Sequence, residues 1–193
     1  MPATTASLTI DRTNIWVRRA AAVLLGNALL WASAKAQVPF WPVPITMQTY
    51  VVLTLGALLG WQLGAATLAA YLAEGAMGMP VFAGTPANGI GLAYMTGPTG
   101  GYLAGYLAAV IVVGVLAERG WTRSRVGLAS ALLAGELAIL GLGWAWLAIG
   151  LGAQKAAEAG VAPFLIGDAL KLSLAIVTIG VAGHRLAGTR LPR

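Results

Sequence analysis

The chain has 193 residues, 59% hydrophobic and only 9% charged, with a formal net charge of +6 and a mean hydropathy of +0.81. Soluble domains carry about 25% charged residues, so this deficit excludes a soluble globular protein and leaves an integral membrane protein with room for about five to seven spans. The positive charge is dispersed over short loops and both termini, a topology signal and no nucleic-acid footprint, and the lack of cysteine excludes disulfide and thiolate chemistry.

Residues 1–14 are polar and read as a disordered or interfacial segment preceding a single transmembrane domain over 15–186 and a tail over 187–193. Arg18 and Arg19 flank an apolar run from Ala20 to Ala34. A secretory signal would share that pattern, but further membrane helix follows it where a mature soluble domain would be expected. Ala28, Ala32 and Ala36 form a small-xxx-small ladder suited to close helix contact. The next stretch, Gln37-Val38-Pro39-Phe40-Trp41-Pro42-Val43-Pro44, is a loop, because three prolines cannot be carried inside one helix. Ile45–Gly60 and Trp61 to about Gly75 read as the second and third spans, both short, with Gly60 at the tight turn between them.

Residues 75–101 hold eight glycines and three prolines but no Lys, Arg, Asp or Glu. A solvated loop of that length would be charged, so this one is expected to pack its backbone against protein or ligand. Met79, Val81, Phe82 and Met95 within it call for burial. The fourth span runs from Pro98 to about Leu116, where Tyr102 and Tyr106 share a face that points either to a pocket or to the interfacial belt. A charged turn, Glu118 to Arg125, leads to a fifth span over Val126–Leu151. Its Trp144 and Trp146 are belt anchors or a hydrophobic wall. Its central Glu136 is a cavity group, a proton carrier or a protonated carboxyl buried between helices. A polar loop over 152–160 precedes the sixth span, from Pro163 to about His184 and Arg185; His184 reads as interfacial.

Six spans with both termini inside put nine arginines (12, 18, 19, 119, 123, 125, 185, 190 and 193) on the inner side. Only Lys35 and Lys155 then lie outside, which satisfies the positive-inside bias. The loops 37–44, 77–97 and 152–160 all fall on the outer side. Asp168 and Lys171, three residues apart and so on one helix face, lie about 8 and 12 Å below Pro163, in the outer half of the membrane. Ionised groups at that depth cost roughly 3 kcal/mol each and mark sites by default; the plain alternative is a self-neutralising structural pair. Lys171 suits a carboxylate, Asp168 suits N–H donors, and Asn88 between Ala87 and Gly89 can both donate and accept. The chain contains no Walker sequence, no HExxH and no Gly-x-Ser-x-Gly, so binding and transport fit better than catalysis, and no cofactor or metal is expected.

Four motifs, in order across about residues 28–185, resemble BioY, the biotin-specific substrate-binding (S) component of energy-coupling factor (ECF) transporters. They are Pro39-Phe40 with Val43-Pro44-Ile45-Thr46-Met47-Gln48-Thr49, Gly78-Met79-Pro80-Val81-Phe82-Ala83-Gly84, Gly97-Pro98-Thr99-Gly100-Gly101-Tyr102, and Pro163-Phe164 with Gly167-Asp168 and Lys171. The resemblance implies an all-α, six-helix S-component bundle in the cytoplasmic membrane of a prokaryote, with an outward biotin pocket roofed by the first and third outer loops. It implies substrate contacts from Asp168, Lys171 and Asn88, to which Gly84, Gly89, Tyr102, Gln48 and Trp144 are added as candidates. The alanine ladder would meet the transmembrane coupling subunit, which works with two ATPase subunits. The competing readings are a self-sufficient, self-associating biotin carrier, an S component for another vitamin, and a membrane interaction protein.

Overall fold

The computed structural model describes residues 4–186, with side chains from Asn14 to Val181; the tail 187–193 and the His184 side chain lie outside what is described. The chain is mostly helical. Helix α1 spans Thr4–Lys35, α2 Gln48–Ala76, α3 Gly91–Met95, α4 Gly100–Glu118, α5 Arg125–Leu151, α6 Ala153–Gly160 and α7 Leu165–Leu186. A two-stranded antiparallel ribbon, β1 Gln37–Val38 and β2 Ile45–Thr46, closes the proline-rich loop after α1. The segment expected to be disordered or interfacial is helical from Thr4 onward. No glycine or proline lies between Pro2 and Gly26 to interrupt it.

By length and composition, four helices can cross a membrane, or five if α6 and α7, bent by 52°, form one broken span. That number takes α2 once, although the chain reverses inside it. Gly60 has φ 76° and ψ 175°, outside helical geometry. The Gln48 amide nitrogen donates to the Tyr71 hydroxyl across 2.8 Å, whereas one straight helix would hold those positions about 34 Å apart. A Cβ on Gly64 would likewise lie 3.7 Å from the Cα of Gly56. Glycine reaches this positive φ without the steric penalty a side chain would meet, and α2 is therefore two antiparallel arms, 48–59 and 61–76.

Glycine also sets the spacing of the helices. At Gly105 a Cβ would meet the Ile139 Cα at 2.8 Å, and at Gly56 it would meet the Val110 carbonyl at 3.0 Å. At Gly114 it would overlap the backbone of Trp61 at the head of the second α2 arm. Lipid offers helices no hydrophobic drive to associate, so backbone approach of this kind supplies the packing. Around it sits a core that includes Leu53, Leu68, Val110, Val113 and Leu132, all fully or almost fully buried.

Two segments differ from the sequence expectation. Residues 153–160 form a helix where a polar loop is expected, because Gln154 and Glu158, one turn apart, are hydrogen-bonded at 3.0 Å and Gly152 at φ 80° separates α6 from α5. Met79 is about half exposed, although burial is expected; its neighbours Val81 and Phe82 are buried, and Met95 is partly so.

Gly114→Ala is expected to destabilise by about 1–3 kcal/mol through overpacking, read as a fall of several degrees in the thermal unfolding of the detergent-solubilised chain. Gly141, whose Cβ would meet nothing within 4 Å, is the control: Gly141→Ala should leave the midpoint unchanged or raise it. Equal losses in both would sink the packing account.

Candidate ligand chamber

Pro163 and Phe164 precede α7, and the Asp168 amide donates back to the Phe164 carbonyl at 2.8 Å, fixing the first turn. One turn of helix then sets Asp168 and Lys171 side by side. The Lys171 ammonium donates to Asp168 Oδ1 at 2.8 Å, with the two residues 7% and 3% exposed. The pair borders a small cavity of about 20 Å³. From α4 the wall takes Tyr102 and Tyr106, and from α5 Glu136, Ile139 and Leu140, each set spaced to share one helix face. The ribbon and its loop add Val43, Pro44 and Thr46, the first α2 arm adds Thr49, and Phe164 closes the side nearest α7. An adjoining cavity of about 20 Å³ shares Thr46, Tyr102 and Tyr106 and extends toward Gln48, Tyr94 and Thr99.

The roof is held by buried polar links. Gln48 takes a backbone bond from its own N–H to Thr46 Oγ1 at 3.2 Å, and the Tyr71 hydroxyl that receives its side chain donates to the Val81 carbonyl at 2.9 Å. The Phe82 ring stacks on Tyr94 with centroids 4.9 Å apart and meets Tyr71 edge-on at 5.4 Å. Gly75 leaves it room, since a Cβ there would overlap the ring. Lys35, at the end of α1, donates to the Phe82 carbonyl at 2.9 Å and to Thr85 Oγ1 at 3.0 Å. The Gly-rich segment is thus packed at Val81–Ala83 and Tyr94 and tied at Phe82 and Thr85, as its lack of charge implies, while Pro86–Asn88, Ile90 and Leu92 are exposed.

Asp168, Lys171 and Tyr102 lie on the wall of the first cavity, Tyr102 and Gln48 on that of the second. Of the alternatives open for the tyrosines, the pocket is the one observed. Tyr102 also donates to the Gly160 carbonyl, tying α4 to α6. Asn88, Gly84 and Gly89 line neither cavity. Asn88 is exposed and its amide lies over Gly84, which at φ 68° has no Cβ to obstruct it. Trp144 is also off the wall: its indole nitrogen donates to the Ala153 carbonyl at 3.1 Å, while Trp146 donates to the Gly97 carbonyl at 2.9 Å. Both tryptophans are braces between segments. Ala28 and Ala32 are exposed along α1, among exposed Leu24, Leu25, Leu29 and Trp31, and Ala36 is exposed just past its end.

Lys35, expected from the sequence only as an outer-side charge, is a tie between α1 and the roof. Its position at a helix end beside an uncharged, carbonyl-rich loop is the available signal. Thr46, Thr49 and Phe164 were legible only as parts of motifs. Chemically, the chamber offers one ammonium, two carboxyls and several hydroxyls in an otherwise apolar enclosure. That suits a small molecule with an anionic end and hydrogen-bond donors elsewhere.

The BioY family model matches residues 4–188. A probable biotin transporter BioY of Pyrococcus horikoshii is 37% identical over 155 residues, 80% of this chain and 90% of that one. The biotin transporter BioY of Thermotoga maritima is 36% identical over 150 residues, 77% and 86% of the two chains. The fold matches a crystal structure of the S-component for biotin from an ECF-type ABC transporter with a TM-score of 0.78 and 25% identity, over 92% of this chain and 94% of that one.

Lys35→Ala should free the segment over 82–85 while leaving the helical bundle intact. Hydrogen exchange of the Phe82 and Thr85 neighbourhood is expected to accelerate about tenfold or more, as one charged tie is lost, with helix-core amides unchanged. Unaltered exchange there would show that the aromatic packing of Phe82 alone holds the roof.

Proposed function

The chain belongs to the BioY family, and we propose from that membership and the chamber chemistry that it binds biotin and carries it across the membrane as the S component of an ECF-type transporter. The observation that carries the proposal is the buried Asp168–Lys171 pair on a cavity wall. Burying two charges costs several kcal/mol each before their attraction is counted, and a purely structural pair has no need of a cavity beside it. Biotin has a carboxylate for Lys171 and a ureido ring with two N–H donors for carboxyl or amide acceptors. Asn88, Gly84 and Gly89 sit in the loop beside the roof, and a roof that closes on the ligand would bring Asn88 toward it.

The two α2 arms support counting this helix as two spans, which with α1, α4, α5 and α7 makes six. That count keeps both termini on the side rich in arginine, the cytoplasmic side under the positive-inside bias. The curated relatives are archaeal and bacterial, which fits the cytoplasmic membrane of a prokaryote. The exposed alanine face of α1 is the surface proposed for the coupling subunit that joins the chain to two ATPase subunits. The same face would serve self-association in a carrier working without them.

Titration of the purified chain with biotin, followed by tryptophan fluorescence with thiamine and riboflavin as controls, tests the ligand. Lys171→Ala is expected to weaken binding at least tenfold, about 1.4 kcal/mol. At the other position Asp168→Asn keeps an oxygen that can accept from the Lys171 ammonium, whereas Asp168→Ala removes both charge and acceptor. Breaking a buried pair from either side costs about 3–5 kcal/mol in stability, so thermal unfolding is recorded with each titration. Binding undiminished in both variants would overturn the assignment of the pair. Ala32→Trp is expected to abolish co-purification with a coupling subunit while biotin still binds. Retained co-purification would move the contact off α1.

A further inference from the structure

Glu136 is the one ionisable acid or base on the chamber wall, tyrosines aside, that the proposed function leaves unused. It sits near the middle of α5, is 3% exposed, and lines the cavity that Asp168 and Lys171 border. Neither of its carboxyl oxygens has a hydrogen-bond partner among the described residues. Asp168 is its nearest charged neighbour, close enough for the two to hydrogen-bond when one of the carboxyls carries a proton. Buried polar groups are almost always satisfied, and one left open costs about 1–3 kcal/mol, more when charged. The position also lies inside a membrane span, where a carboxyl is costly to place. A leucine there would pack without either cost.

We propose that Glu136 is a ligand-contacting, specificity-determining residue whose open carboxyl accepts the N–H donors of the bound molecule. The inference rests on the biotin reading and adds the residue that reads the ureido end. Among the described residues on this wall Lys171 is the only cation, so the ligand carboxylate goes to it. The donor end of the ligand is what remains for a carboxyl. Asp168 already has Oδ1 engaged by Lys171, whereas neither Glu136 oxygen accepts a hydrogen bond from an N–H or hydroxyl of the described residues. The other polar groups on the wall, the hydroxyls of Tyr102, Tyr106, Thr46 and Thr49, each bring a single oxygen, whereas a carboxyl brings two. An acceptor built into the site and left unpaired without ligand rejects analogues lacking the donor.

The test compares the parent with Glu136→Leu and Glu136→Gln. Each is titrated with biotin and with biotin methylated on both ureido nitrogens, and ligand-free thermal unfolding is recorded. The parent should prefer biotin over the methylated analogue. Glu136→Leu should bind biotin about 10- to 100-fold more weakly, lose that preference, and unfold at the parent's temperature or above. Glu136→Gln keeps one acceptor oxygen and should fall between, and it carries the test if the leucine variant does not fold. Unchanged biotin affinity in the variants overturns the inference. So does an equal loss for both ligands accompanied by a lower unfolding temperature, which is the mark of a structural carboxyl. A parent that binds no biotin overturns the functional reading itself, and the parent's own titration separates that failure from the other.

Discussion

The ion pair between Asp168 and Lys171 is the constraint around which the rest of the molecule is arranged. In a bilayer its two charges cannot be left facing lipid, and neither can be left without the other. One helical turn of α7 supplies the partner, but it cannot supply the enclosure. That comes from α4 and α5, whose tyrosines, Ile139 and Leu140 wall the pair in, and from the ribbon and its loop over the remaining side. The enclosure is incomplete by a cavity's volume. An enclosed, low-dielectric space beside a buried ammonium strengthens any electrostatic contact made inside it, and this makes the pair useful to a ligand.

Enclosure at this precision depends on glycine. The two short arms of α2 fold against each other because Gly60 turns between them and Gly56 and Gly64 meet across the gap. Gly105 lets α4 approach Ile139 on α5, so that the faces bearing Tyr102, Tyr106 and Glu136 border one space. Small residues bring backbones close, and the large side chains between those contacts then fill the remaining volume without needing a hydrophobic drive.

The same end of the bundle is tied to α1. Lys35 closes that helix and holds the carbonyls of the Gly-rich segment, while Asn27 of α1 donates to Glu74 of α2 at 2.7 Å. The exposed alanine face of α1 therefore ends one residue from a side chain that grips the roof. A partner docking on that face would act on a helix already hydrogen-bonded to the chamber's cover.

Much of this was legible in the sequence by itself. The charge deficit determined a multi-pass membrane protein, and the three-residue spacing determined that Asp168 and Lys171 share a face. The lone glycine between two short apolar runs marked the turn at Gly60, and an uncharged Gly-rich stretch implied packed backbone; each of these signals is local. Only the tertiary structure decided that Glu136 lines the cavity beside Asp168, that Tyr102 and Tyr106 line a pocket, and that Trp144 and Trp146 are braces. It also decided that Asn88 lies over Gly84, away from the wall, and that Lys35 is a tie. Helical periodicity says which residues share a face, but what stands opposite that face depends on contacts between distant segments, and in a chain this apolar nearly every face is hydrophobic enough to be buried.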